Sequence, residues 1–176
     1  IVLARITTTA MRTQHSHGKL FKPDGYLSQF VYNNQTRSLK KYQHLLTELP
    51  STAEMVAAGA MAIGRLDQET EGLLLLTTDG RLSHFITKGR VIEKEYYAQV
   101  AGDSVSDSAI AQLAGGMEIS LGGGRTHNTR PCSVSRLAAP PQLPPRRKPH
   151  HALVRKKRDG TVVPAPTTWL ALTLVE

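Results

Sequence analysis

At 176 residues, 40% of them hydrophobic, the chain is long enough for one domain that buries roughly two-thirds of its unfolded surface. No run of about 18 apolar residues occurs, which excludes a helical membrane span. The 22 Lys and Arg against 14 Asp and Glu leave a formal charge of +8, which favours a polyanionic partner and leaves RNA, DNA and acidic membrane surfaces open. Cys132 is the only cysteine, so an intramolecular disulfide and a cysteine-rich zinc site are excluded, and a reducing compartment is the natural inference.

The first residue is Ile1 rather than Met, the pattern of a processed product or a partial reading of a longer chain. Residues 1 to 23 hold no acid but carry Arg5, Arg12, Lys19 and Lys22 among threonines. That pattern fits a disordered basic tail or an organelle-targeting remnant, so the expected location is cytoplasmic or organellar. The tail is assigned to residues 1–18 and the domain to 19–176.

Lys22, Pro23, Asp24, Gly25, Tyr26 and Leu27 read as a turn between short extended pieces. From Ser38, the apolar positions Leu39, Tyr42, Leu45 and Leu46 recur at helical spacing up to Pro50, which predicts a short amphipathic helix. Residues 51–63 are ambiguous by period and are expected to end as a strand entering Gly64. Leu73 to Leu76, between Gly72 and Thr78-Asp79-Gly80, predict a buried strand followed by a turn. Leu82, Phe85 and Ile86 mark a second helix, with Asp79 or Ser83 as cap and Gly89 as stop.

From Glu93 the sequence alternates, with Tyr96, Ala98 and Val100 on one face of a half-buried strand. A serine- and aspartate-rich start at residues 103–108, then Ile110 and Leu113, predict a third helix stopped by Gly115 and Gly116. Strands are expected at Met117 to Leu121, Cys132 to Leu137 and Trp169 to Val175. Helices interspersed with strands, without regular strand-helix alternation, give an α+β class with a mostly antiparallel sheet. Pro140 to Pro166 is too poor in apolar residues to pack as core and reads as a basic surface insertion.

The stretch Gly64, Arg65, Leu66, Asp67, Gln68, Glu69, Thr70, Glu71, Gly72, four leucines, Thr77, Thr78, Asp79 and Gly80 carries the most information. Asp67 sits in a polar loop ahead of an apolar strand, a placement able to fix a carboxylate while leaving it open to a cleft. Arg65 stands two residues away, where it is able to favour the ionised form. A surface ion pair is the commoner role for an Arg-Leu-Asp loop, and the residues alone go no further.

Taken whole, the stretch resembles the signature of the RsuA/RluE-type ribosomal RNA pseudouridine synthases: Gly-Arg-Leu-Asp, then Thr or Ser, Glu-Gly-Leu-Leu and Thr-Asn-Asp-Gly. Thr78 departs from it, standing where the family usually has Asn. Lys22, Pro23, Gly25 and Leu27 resemble the family's Lys-Pro motif, with Gln29 and Phe30 leaning toward the E-type branch that acts on the large ribosomal subunit. Lys94 and Tyr96 resemble its Lys-x-Tyr strand, Thr129, Arg130 and Pro131 its Thr-x-Pro turn, and Pro166 to Leu170 the strand before its last motif. The resemblance covers residues 19–176.

The resemblance implies a mostly antiparallel mixed sheet flanked by helices, and an enzyme that isomerises a specific uridine to pseudouridine in ribosomal RNA, with transfer RNA a lesser candidate. It implies that no cofactor or metal is needed; the expected state is a monomer with no membrane partner. Carried over, Asp67 is the catalytic carboxylate, as nucleophile or on the ribose proton, with Arg65 beside it; Tyr96 stacks on the uracil and takes part in removing the C5 proton. A flipped base is expected, with Lys22 and Lys94 on flanking phosphates.

The family pattern continues with Gly-Arg-x-x-Gln-x-Arg, whose arginine pairs with the aspartate. This sequence stops at Glu176, so the domain is expected to be partial at its C-terminus. An inactive RNA-binding remnant or assembly factor is the alternative. Gly124 to Arg130 mimics the arginine motif but lacks the glutamine, and reads as a glycine-rich hairpin loop. Gly122 to Gly124 lack the lysine and helix start of a phosphate cradle.

Residues 146–158 gather Arg146, Arg147, Lys148, Arg155, Lys156, Lys157 and Arg158 with no acid, either a solvated face or a contact to RNA phosphates. The histidines His15, His17, His127, His150 and His151 show no metal-ligand spacing with a carboxylate or thiol.

Overall fold

The computed structural model describes residues 14–32, 44–88, 92–144 and 153–175. The chain divides into two compact units, Ile1–Lys88 and Gly89–Glu176, where length and composition suggest one domain. Each unit is described by itself.

The first unit is built on strands β1 (His17–Lys22), β4 (Met61–Ile63) and β5 (Gly72–Thr77), ordered β1-β5-β4 and antiparallel throughout. β1 opens at His17, opposite Thr77, so the sheet takes in His17 and Gly18 from the segment assigned to the tail; residues 1–13 lie outside the described residues. Because side chains alternate across a strand, Leu20 and Lys22 of β1 face inward together with Leu74 and Leu76 of β5. Leu20, Leu74 and Leu76 join Leu46 in the core, against which Tyr26, Phe30, Leu49, Met55 and Ala62 pack. Burial of each leucine stabilises this unit by about 1.5–3 kcal/mol.

The four-leucine run is therefore buried on one face only. Leu74 and Leu76 are each 3% exposed, whereas Leu73 is 66% exposed. A continuous apolar run suggests cover on both faces, but the pleat sends alternate residues outward whatever their polarity.

Between β1 and β4 lie β2 (Tyr26–Leu27) and β3 (His44–Leu45), which pair in parallel. The predicted helix from Ser38 to Pro50 is not formed over its described part. Residues 33–43 lie outside the described residues; after β3 the chain makes short 3-10 turns at Leu46–Glu48 and Pro50–Thr52, then helix α1 (Ala53–Ala57). Tertiary bonding overrides the helical period: His44 N–H and Leu46 N–H donate to the carbonyls of Gly25 and Gln29, and the Glu48 carboxylate accepts from Leu45 N–H at 2.9 Å. Thr52, fully buried, ties the turns together by donating to the carbonyls of Leu46 and Leu49. Helix α2 (Gly80–Lys88) follows β5 and packs on β4 and β5. Its expected stop, Gly89, lies outside the described residues.

The second unit is organised on β6 (Lys94–Ala101), β9 (Ser133–Arg136) and β12 (Thr167–Leu174), antiparallel in the order β6-β12-β9. Leu170, at the middle of the central strand, is 2% exposed. β6 follows its predicted alternation, with Tyr96, Ala98 and Val100 half-buried and Glu95, Tyr97 and Gln99 exposed. Helix α3 (Asp107–Gly115) starts where Ser106 accepts Ala109 N–H and ends at Gly116. Arg136 braces that start by donating to the Val105 carbonyl and to Asp107.

β7 (Glu118–Gly122) and β8 (Arg125–Asn128) form an exposed hairpin. Gly122, Gly123 and Gly124 turn it with φ of +78°, +60° and +73°, values that side-chain-bearing residues rarely adopt. The glycine-rich segment is thus a hairpin turn, as its composition predicts. A second hairpin, β10 (Val154–Lys156) with β11 (Val162–Pro164), lies in the later described part of the basic insertion. The class is α+β with mostly antiparallel sheets, as predicted.

Candidate active site

Asp67 lies in the loop between β4 and β5. Gly64 opens that loop at φ +71°, turning the chain out of β4 in a conformation that suits glycine. The Thr70 N–H donates to the Asp67 carbonyl at 3.1 Å, closing a turn over the aspartate. The carboxylate itself is exposed.

The residues on either side of Asp67 are held from the end of β1 and the segment that follows it. On the upstream side, Ser28 exchanges two hydrogen bonds with Leu66: its hydroxyl donates to the Leu66 carbonyl at 2.8 Å and accepts from the Leu66 N–H at 2.9 Å. On the downstream side, the Gln68 carbonyl accepts from Gly25 N–H at 2.9 Å and from the Lys22 ammonium at 3.2 Å. That ammonium also donates to the carbonyls of Tyr26 at 2.7 Å and Pro23 at 3.0 Å.

Lys22 is fully buried, because the alternation that turns Leu20 inward turns Lys22 inward as well. Its burial is made tolerable by hydrogen bonding of the ammonium. The phosphate contact expected of Lys22 therefore has no access in this structure, and the residue ties the loop instead. Its sequence neighbourhood of Lys, Pro and Gly contains no cue for burial, since lysines are almost never fully buried.

Arg65 is exposed, and no Arg65–Asp67 ion pair forms. Two residues apart in an open loop, the guanidinium and the carboxylate both remain turned to solvent. The signature's last part, Thr77 to Gly80, serves structure. Thr77, fully buried, accepts Asp79 N–H at 2.9 Å. Asp79 caps α2 by accepting Arg81 N–H at 2.8 Å and Leu82 N–H at 3.2 Å. The Leu82 N–H above all, then the Arg81 N–H and the nearby His15 and His17, holds the Asp79 carboxyl below its ordinary value of 3.8. Of the two caps considered, Asp79 is the one used. Thr78, the departure from the family pattern, prolongs the β1–β5 pairing by exchanging bonds with the Ser16 backbone.

Tyr96 and Lys94 lie in the second unit, on the same half-buried face of β6, opposite Leu172 and Leu174 of β12. Arg155 and Lys156 of β10, with Lys157 and Arg158 in the turn after it, are exposed. Arg146, Arg147 and Lys148 lie outside the described residues. The structure thus gathers Lys22, Arg65 and Asp67 about one loop of the first unit, and Lys94 with Tyr96 on one strand of the second. Sequence reasoning missed Ser28; the short polar side chain in a turn-rich segment gave no sign of a partner 38 positions away.

Among the described residues, no helix is long and apolar enough to cross a membrane, and no group of three or more His, Cys, Asp or Glu is arranged to hold a metal ion.

A carboxylate exposed on a loop tied at both flanks, in an antiparallel α+β scaffold, is a group held open to a ligand. Residues 20–169 match the RNA pseudouridylate synthase family, and the chain belongs to it. It is 37% identical over 158 residues to the ribosomal large subunit pseudouridine synthase E of Xanthomonas campestris pv. campestris, a match covering 89% of this chain and 71% of that one. It is 31% identical over 156 residues to the protein of the same name from Vibrio parahaemolyticus serotype O3:K6, covering 88% of this chain and 54% of that one. Among solved structures, a pseudouridylate synthase superposes with a TM-score of 0.54 at 23% identity, covering 93% of this chain; the chain spans about half, 52%, of that one. That likeness shows the shared fold.

Proposed function

We propose that this chain is the catalytic part of an enzyme that converts a specific uridine of ribosomal RNA, in the large subunit, to pseudouridine, with Asp67 as its catalytic carboxylate. In that reaction the bond from C1′ to N1 breaks, the uracil turns in place, C5 joins C1′, the C5 proton leaves and N1 takes up a proton, so the product is an isomer of uridine. Asp67 acts as nucleophile or on the ribose proton. Tyr96 stacks on the uracil and assists removal of the C5 proton. Arg65, free of an ion pair with Asp67, is in the same loop as the carboxylate and contributes positive charge near it. Lys94 and the basic residues from Arg146 to Arg158 hold RNA phosphates.

The observation that carries this reading is the Asp67 loop, tied at Leu66 and at Gln68 while the carboxylate between them stays exposed. Tying an exposed acid in this way suits chemistry on a ligand more than it suits folding. The substrate is the one named in the relatives from Xanthomonas and Vibrio.

Tritium release from ribosomal RNA transcripts labelled at C5 of uridine tests the proposal. Asp67→Asn is expected to abolish release, a loss of at least about a thousandfold, with RNA affinity retained. Release that survives the change removes the assignment. Wild-type chain that binds the transcript without releasing tritium favours the RNA-binding remnant.

A further inference from the structure

We infer that Ser28 is a positioning residue for Asp67, fixing the upstream side of the loop through both backbone groups of Leu66. This rests on the catalytic reading of Asp67. Ser28 follows β2 in the turn-rich segment after β1, far from Leu66 in sequence. Its hydroxyl nevertheless satisfies the Leu66 carbonyl at 2.8 Å and the Leu66 N–H at 2.9 Å in part-buried surroundings.

One rotor thus replaces the two backbone partners that Leu66 would have had in a sheet. The arrangement holds the two peptide groups that meet at Leu66, one through its N–H and the other through its carbonyl, while Gly25 and Lys22 hold the Gln68 carbonyl on the other side of Asp67. The two anchors are different in kind. Lys22 bonds three carbonyls and sits wholly inside, so its loss disturbs the first unit as a whole. Ser28 is only half-buried, and both of its bonds go to the one residue that precedes Asp67. Removing the hydroxyl leaves the core leucines untouched and releases the loop at its upstream side.

A carboxylate displaced by about 1 Å loses on the order of a hundredfold in rate through lost alignment. Ser28→Ala is therefore expected to lower kcat about ten- to a hundredfold, with KM for the transcript within about twofold, since the phosphate contacts that set binding lie elsewhere. Ser28→Thr, which keeps the hydroxyl, restores most of the rate.

The experiment compares wild type, Ser28→Ala, Ser28→Thr and Thr52→Val in the full chain, by tritium release well below each melting temperature and by hydrogen exchange at the Leu66 amide. Thr52→Val removes a buried hydroxyl of the same unit that bonds Leu46 and Leu49, away from the loop, and reports what loss of stability alone does. A fall in kcat with Ser28→Ala but not with Thr52→Val, rescue by threonine, and faster exchange at Leu66 in the alanine variant are the expected results. Wild-type kcat in Ser28→Ala, or a fall no larger than that of Thr52→Val, overturns the positioning role. Unchanged exchange at Leu66 overturns the clamp itself. Full turnover by Asp67→Asn would instead refute the catalytic reading, and the positioning role with it, leaving Leu66 exchange to judge the clamp.

Discussion

The Asp67 loop and the β10–β11 hairpin are both exposed, charged and closed by short turns, yet they are held in different ways. The loop takes bonds from Lys22, Gly25 and Ser28, some 40 positions earlier in the chain. The hairpin turn is closed by near neighbours, with Lys157 N–H donating to the Thr161 carbonyl, Gly160 N–H to the Lys157 carbonyl and Thr161 N–H to the Asp159 carboxylate. Chemistry on one bond demands a carboxylate held to a fraction of an ångström. Attraction to a phosphate backbone falls off gently with distance and tolerates loose placement. The roles proposed for the two regions carry those different demands, and the two regions differ in the number of their long-range ties.

Replacing Lys22 is the strongest way to break the contrast. Lys22→Met keeps the volume but leaves three carbonyls without their ammonium, and is expected to destabilise the first unit by on the order of 2–4 kcal/mol, read as a fall in the denaturation midpoint. A midpoint unchanged from wild type would mean that the buried ammonium does not tie the loop.

Neutralising Arg155, Lys156, Lys157 and Arg158 together addresses the other region. The slope of log affinity against log salt should flatten by up to about 3, at roughly 0.7 for each phosphate contact with single-stranded RNA, with kcat at saturating transcript preserved. An unaltered slope would return these residues to a solvated face.

The smallest effect belongs to Asp79. Because backbone N–H groups hold its carboxyl below the ordinary value, its contribution to the folded state is full above the unfolded pKa and is lost as pH falls through the lower, folded one. Asp79→Ala should therefore lower the melting temperature slightly at neutral pH, and the gap from wild type should close in strong acid. A gap that stays constant down to the acid limit would remove the charged cap from α2.

Much of the scaffold was legible locally. The alternation of β6 and the serine- and aspartate-rich start of α3 are properties of neighbouring residues, and the structure keeps them; of the cap candidates Asp79 and Ser83 for α2, it uses Asp79. The Asp67 loop was legible through its signature and through the glycine that opens it. The failures have one origin. Leu45 and Leu46 carry a helical period, but Gly25 and Gln29 take the backbone donors that a helix would have used. Lys22 carries a surface charge, but the register Lys22↔Gly72 fixes its side chain on the core face. Ser28 carries no local cue at all.

By itself, the sequence determined the α+β class, the position of Asp67 between two strands and the stretches where α2 and α3 begin, because each depends on residues within a few positions of one another. Only the tertiary structure decided that Lys22 lies inside, that Ser28 meets Leu66 and that the four-leucine run is covered on one face. Those outcomes depend on which strands pair and in what register, and pairing brings together residues that chain spacing keeps apart.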